Sequence, residues 1–205
     1  VLLAMTAGAP ALTLDVGIRN ISARFVDATG TEIANQSDSE TVTNGATYQN
    51  NLSVFIGSSN RFEASVGMNI VGTFGIAARA SQAGTLTTRV SLLETYVNDQ
   101  SIPVDLSATF VVVDGAMFLV AGDNGTLTYD LGVGTFPFGE FNSRGVLEGN
   151  TANGFFASFS ESGDSLGATQ ANVGDAVDIP FSVHTIDLGR IEPGASLDYF
   201  YSIEI

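Results

Sequence analysis

The sequence has no cysteine, no lysine and no tryptophan, and a single histidine, His184. Each absence excludes a class of chemistry. Without cysteine there is no disulfide staple, no thiolate nucleophile and no sulfur-based zinc site, so a core must hold the fold by itself. Without lysine, the 7 positive charges are all arginine, set against 22 acidic residues for a formal net charge of −15. So few cations cannot build a phosphate-binding groove, which excludes nucleic acid as a partner. Attraction to an anionic membrane surface is excluded on the same ground. The acidic surplus keeps an apolar-rich domain soluble and suits extracellular surroundings containing salt or divalent cations. Without tryptophan, the usual aromatic platform for sugars is missing.

What is present is apolar residue content of 44% in 205 residues, with 23 glycines. That is globular composition, enough for one sizeable domain with many tight turns. Period-2 alternation dominates and helical periodicity is hard to find. "FEASVGMNI" puts Phe62, Ala64, Val66, Met68 and Ile70 on one side. "TLTTRVSLLETYV" puts Leu86, Val90, Leu92 and Tyr96 on one side, with Glu94 interrupting the apolar face at a bulge or rim. "FFASFS" sets Phe155, Ala157 and Phe159 against Ser158 and Ser160. "LDYFYSIEI" sets Leu197, Tyr199, Tyr201, Ile203 and Ile205 against Asp198, Ser202 and Glu204. Each pattern predicts a strand with one face on a core and one in water.

Turn chemistry separates the strands. Gly30 closes a hairpin in "FVDATGTEIA". Asp114-Gly115, between two apolar runs, predicts a two-residue hairpin turn. Asp123-Asn124-Gly125 turns into the strand "TLTYDL". Pro193-Gly194 suits the centre of a type II turn. Gly132 to Asn153, rich in glycine, phenylalanine and asparagine, reads as a long surface loop or a short irregular hairpin. "DSLGATQAN" is a weak candidate for one helical turn. Strands at roughly 10-residue spacing predict an all-β fold, an antiparallel two-sheet β-sandwich of jelly-roll type. One domain spans residues 12–205. Residues 1–11, "VLLAMTAGAPA", read as a signal-peptide remnant or a flexible N-terminal segment.

Candidate chemistry is sparse. A Ser-His-Asp triad would need His184, but "PFSVHTIDLG" alternates as a strand, with Ser182, His184 and Ile186 on one side. No nucleophile elbow accompanies it, so a solvent-facing or hydrogen-bonded strand histidine is expected. Glu94, Glu140 and Glu148 are the carboxylates a glycosidase would pair, and nothing in their spacing brings two together. Calcium is the most serious ion to consider. Asp123, Asn124 and Asp130, or Asp175 and Asp178, offer oxygen ligands without the regular ligand ladder of a calcium loop; Asp, Asn and Gly also shape turns by themselves. Phe136, Phe138 and Phe141 in "GTFPFGEFNS" form either a contact patch or an edge tucked onto the sandwich. The reading is therefore no catalytic, cofactor-binding or metal site, with calcium as the one ion worth testing.

Three stretches together resemble a known family: "AGTLTTRVSLLETYVNDQSIPVDLSATFVVVDGAMFLV" at residues 83–120, "VDIPFSVHTIDLGRIEPGASLDYFYSIEI" at residues 177–205, and the signal-like start. The arrangement is similar to secreted proteins of exopolysaccharide-producing Gram-negative bacteria that end in a PEP-CTERM sorting signal. In those proteins a turn of the form seen at Leu188-Gly189, Ile191, Pro193-Gly194, Ser196 and Leu197 leads into a last strand. The resemblance implies that the natural chain continues past Ile205 into Pro-Glu-Pro, an apolar span and a basic tail. It also implies a non-enzymatic, secreted or surface-displayed β-sandwich associated with the extracellular matrix, with extracellular polysaccharide or copies of itself as partners. The chain as given has no segment to insert into a membrane. Two alternatives remain open. One is a structural subunit of an extracellular filament joined by β-strand addition, with "VLLAMTAGAPALTLDV" as the donor. The other is a carbohydrate- or calcium-binding module.

Overall fold

The computed structural model describes residues 12–59, 61–70, 73–119, 124–135, 139–150, 156–170 and 176–205. In chain order the strands are β1 (Leu12–Asp27), β2 (Glu32–Thr43), β3 (Leu52–Ser58), β4 (Phe62–Met68), β5 (Phe74–Ala80), β6 (Gly84–Asn98), β7 (Val104–Val112) and β8 (Gly115–Phe118). They continue as β9 (Thr126–Thr135), β10 (Phe141–Asn150), β11 (Phe156–Gly163), β12 (Thr169–Gln170), β13 (Ala176–Ile179), β14 (Ser182–Ile191) and β15 (Ser196–Glu204). Every pairing is antiparallel, and no helix occurs among the described residues. The chain is all-β, as its alternation predicts.

One layer is a seven-stranded sheet in the order β11-β10-β9-β15-β6-β1-β2. The layer facing it is divided among the sheets β3-β4-β5, β12-β13-β8 and β14-β7. Between the layers, Phe25 stacks on Phe62 at 4.1 Å and Tyr201 on Phe74 at 5.6 Å. At the far side, Phe110 and His184 close over Phe141 at 5.0 and 4.6 Å. Alternation puts the apolar half of each strand into this core. Phe62, Ala64, Val66 and Met68 of β4 are buried as expected, whereas Ile70 lies past the strand end and is half exposed. β15 is the middle strand of the large sheet, with Tyr199, Tyr201 and Ile203 inward.

The turns follow their chemistry where it is local. At the β1–β2 hairpin, Gly30 takes φ of 84° and donates to the Asp27 carbonyl, while the Asp27 carboxylate accepts from Thr29 and Thr31. At Pro193-Gly194, Gly194 has φ of 74° and the Ala195 N–H donates to Glu192 O at 3.0 Å, the bond that closes a β-turn. That turn joins two sheets. It is held from the side by buried Asn98, whose Nδ2 donates to Ile102 O and Ile191 O at 2.9 and 3.0 Å.

Three local expectations are corrected. Asp114-Gly115 does not close a hairpin, because β7 pairs with β14 and β8 with β13. The same register runs through both ladders: Val112 faces Ser182 and Gly115 faces Ile179. They are two halves of one bent ribbon. Pro180 has no N–H to give at the bend, and the Phe181 N–H goes to the Asp114 carboxylate at 2.8 Å. The segment from Gly132 contains the end of β9 and all of β10, a regular ladder with Phe141 opposite Val133. Its glycines make room for aromatic rings: Tyr129 lies over Gly145, and Phe200 lies against Gly132 and Gly139. Residues 164–170 hold the two-residue strand β12 in place of a helical turn.

Candidate functional site

Two regions of the core depart from simple apolar packing, and they lie at opposite ends of the sandwich. The first follows from the parity of β1. Ile21, Ala23 and Phe25 point inward, so Gly17 and Arg19 must point inward too. Across the sheet, Glu40, Arg19, Leu92, Tyr201 and Val133 form one row in register. Val42, Gly17, Glu94, Tyr199 and Thr135 form the next.

Arg19 is fully buried. Its guanidinium pairs with Glu40 and donates to Asn69 O at 2.6 Å and Asn50 O at 2.9 Å. Asn50 precedes β3 and Asn69 follows β4, so one side chain of the large sheet ties both chains at the open end of the β3–β4 hairpin. The Tyr48 ring covers the guanidinium at 3.8 Å, a cation–π contact. Tyr48 fits because residue 17 is glycine: a Cβ there would overlap its hydroxyl. The Gln49 N–H, followed by the Arg19 and Asn50 donors, holds the Glu40 carboxyl below its ordinary range despite partial desolvation.

Glu94 does not bulge its own strand. The irregularity falls on β1, between Leu14 and Val16. Glu94 is 7% exposed and accepts from Tyr96 Oη at 2.8 Å. Burial raises its carboxyl pKa, and the Tyr96 bond, the nearby Tyr48 hydroxyl and the Arg19 charge only partly offset that. The Tyr48 hydroxyl lies close enough to act on Glu94 electrostatically but completes no hydrogen bond, and the buried Tyr199 hydroxyl is likewise unbonded. The signal for this cluster was legible in the parity of "GIRNISARF"; what it ties together was not.

The second region is a cleft of about 660 Å³ between β5 and β8. Its floor is the inner face of β9 and the end of β15, with Leu131, Tyr129, Ile203 and Ile205. Arg61 and Arg79 are the charged residues lining it. Beside the floor, the Tyr129 hydroxyl donates to Glu161 at 2.6 Å. Ser165 Oγ and the Leu166 N–H donate to the same carboxylate at 2.6 and 2.9 Å. Burial would raise the Glu161 carboxyl, but these bonds outweigh it and hold it low.

The residues singled out from the sequence are dispersed. His184 points inward, half-buried, stacked on Phe110 at 4.9 Å with Nε2 2.9 Å from Ser182 Oγ. Burial lowers its pKa, partly opposed by Asp164. Of the three glutamates, Glu94 is in the buried cluster, Glu140 accepts from Thr135 N at the β9–β10 turn, and Glu148 is exposed on β10. Asp130 and Asp178 sit exposed on β9 and β13, and Asn124 precedes β9; Asp123 and Asp175 lie outside the described residues. Among the described residues no three His, Asp or Glu side chains gather closely enough to hold a metal ion. Phe141 is core, while Phe136 and Phe138 lie outside the described residues. Of the donor segment considered above, Leu12, Thr13, Leu14 and Val16 belong to β1 and are already paired with β6, from Leu12 opposite Asn98 onward.

Compared with protein-family models, curated proteins and solved structures, the chain matches none.

Proposed function

We propose that this chain is a non-enzymatic β-sandwich of a bacterial extracellular matrix, secreted or displayed at the cell surface. The observation that carries the reading is the use made of the inward ionisable groups. Arg19 fastens the β3–β4 hairpin, Glu94 accepts from its own strand's Tyr96, Glu161 anchors the loop at Leu166, and His184 packs between phenylalanines. Each is engaged in the bonding or packing of the fold, Arg19 and Glu94 within one cluster and Glu161 and His184 outside it. The strong negative charge and lack of cysteine suit an exported domain stabilised by packing. The resemblance of residues 83–120 and 177–205 to PEP-CTERM-sorted proteins supports the location and suggests extracellular polysaccharide as the material it meets.

The test is co-sedimentation of the purified chain with exopolysaccharide, alongside a reducing-sugar assay on the same glycans. Retention on the glycan without release of sugar ends is the expected result. Sustained hydrolysis would refute the non-enzymatic reading. A melting temperature that rises with calcium and falls with EGTA would transfer support to the calcium-binding alternative.

A further inference from the structure

We propose that the gap between β5 and β8 is a strand-receiving slot, whose occupant is an extended segment of a partner polypeptide, apolar on one side and acidic at the Arg61 end. This does not depend on where the protein is displayed.

Both walls of the gap are sheet edges. Among the described residues, β5 pairs only with β4, and β8 only with β13. The cleft is lined by the unbroken runs Ile76–Ser81 and Gly115–Leu119. A strand presenting a face would contribute alternate residues; an unbroken run means that it presents its edge. The bonding parity of β5 agrees. Ser81 N donates to Arg61 O and Asn69 N to Thr73 O, both at 2.8 Å. In an antiparallel ladder these bonded pairs alternate with non-bonded ones, and the β4–β5 register has no break. The odd-numbered residues of β5 therefore bond to β4. Ile76, Ala78 and Ala80 turn their N–H and C=O groups into the gap.

The floor explains what the occupant must be. Phe74 at the start of β5 is buried, but Ala78 and Ala80, of the same parity, are exposed. Small side chains there leave the margin of the apolar floor, at Ile205 and Leu127, partly exposed, while Ile203 and Leu131 are already buried. One added strand would cover it and complete the order β3-β4-β5-strand-β8-β13-β12, seven strands facing seven. An alkyl chain would also fill the floor, yet it would leave two rows of backbone donors and acceptors facing hydrocarbon, which is costly. A peptide satisfies both, the mode of β-strand addition. Charge sets its polarity. In a chain with 22 acidic residues, the lining holds two arginines and no acid. Arg79 pairs with Glu63, while Arg61 makes no ion pair among the described residues.

The test uses the full chain and a fluorescein-labelled peptide, acetyl-Val-Thr-Val-Thr-Val-Thr-Val-Glu, followed by anisotropy. Saturable binding is expected. Ala78→Pro removes one N–H facing the gap and none bonded to β4, a change edge strands tolerate; it should weaken binding by about tenfold or more. If that variant fails to fold by circular dichroism, Ala78→Phe, which fills the space above the floor, should abolish binding instead. Arg61→Glu should weaken the Glu-ended peptide and spare one ending in Gln. No saturable binding, or equal binding by the wild-type chain and a folded Ala78→Pro variant, would overturn the proposal. So would stabilisation by a fatty acid that the peptide cannot displace. Self-association of the chain that Ala78→Pro abolishes would make the donor a second copy and overturn the assignment to a distinct partner.

Discussion

Replacing Arg19 with methionine tests the central claim about the buried cluster, that one side chain ties two chain segments to the large sheet. Arg19→Met keeps length and apolar stem but removes the fork. The Asn50 and Asn69 carbonyls, bonded at 2.9 and 2.6 Å, would lose their donors. Each of these part-buried bonds from a charged donor contributes about 1.5–3 kcal/mol, and loss of the cation–π contact with Tyr48 adds about 1 kcal/mol. Glu40 keeps its bonds from Gln49 N and Asn50, so it is not stranded. Relief of guanidinium desolvation, including an Nε with no partner, returns part of this. The expected net loss is about 3–4 kcal/mol, a sizeable share of a typical total of about 5–15. For a chain of this size it corresponds to a fall in Tm of roughly 6–16 °C. Urea unfolding at pH 7, followed by tyrosine fluorescence and far-UV circular dichroism, measures it. Arg24→Met is the control: its pair with Glu32 at 2.6 Å is about half exposed on both sides, so it should cost less than about 0.5 kcal/mol. A loss below about 1 kcal/mol for Arg19→Met would refute the fastening role, since two bonds from a charged donor should together contribute more than that.

Other expectations concern the same core. Burial raises the folded-state pKa of Glu94, so its contribution is present below the unfolded carboxylate value of about 4.3 and declines as pH rises through the folded value. Glu94→Gln should therefore gain on wild type in Tm with increasing pH over that window; a constant difference would show that Glu94 does not titrate abnormally. Gly17→Ala puts a methyl group into the Tyr48 hydroxyl and should cost about 1–3 kcal/mol. Adding Tyr48→Phe should recover part of that loss, because the hydroxyl makes no bond; no recovery in the double variant would count against the clash. Asn98→Ala strips donors from Ile102 O and Ile191 O and should cost about 2–3 kcal/mol by urea unfolding. Under limited proteolysis, cleavage near the Pro193-Gly194 turn should appear first.

The local part of this molecule was open to reading from its residues. Period-2 alternation places Ala64 and Val66, or Tyr199 and Tyr201, inward whatever their strands pair with, because parity is a property of the extended backbone alone. The turns at Gly30 and Pro193-Gly194 were equally readable, since a required φ selects the residue. Asp114-Gly115 misled because turn propensity says nothing of whether the flanking strands pair. β7 found its partner in β14, far along the chain, and the Asp114 carboxylate went to Phe181. The glycines after Gly132 misled for a related reason: the rings of Tyr129 and Phe200 occupy the space that side chains would have taken.

The sequence by itself determined an all-β, acidic, disulfide-free sandwich and the inward side of most of its strands. Tertiary structure alone decided that Arg19 would meet carbonyls from both ends of the β3–β4 hairpin, and that a cleft would open between β5 and β8. The physical reason is the range of the interactions. Side-chain parity and turn geometry are set within a few residues, whereas strand order and register come from contacts between residues far apart in the chain, chosen only when whole faces are buried together.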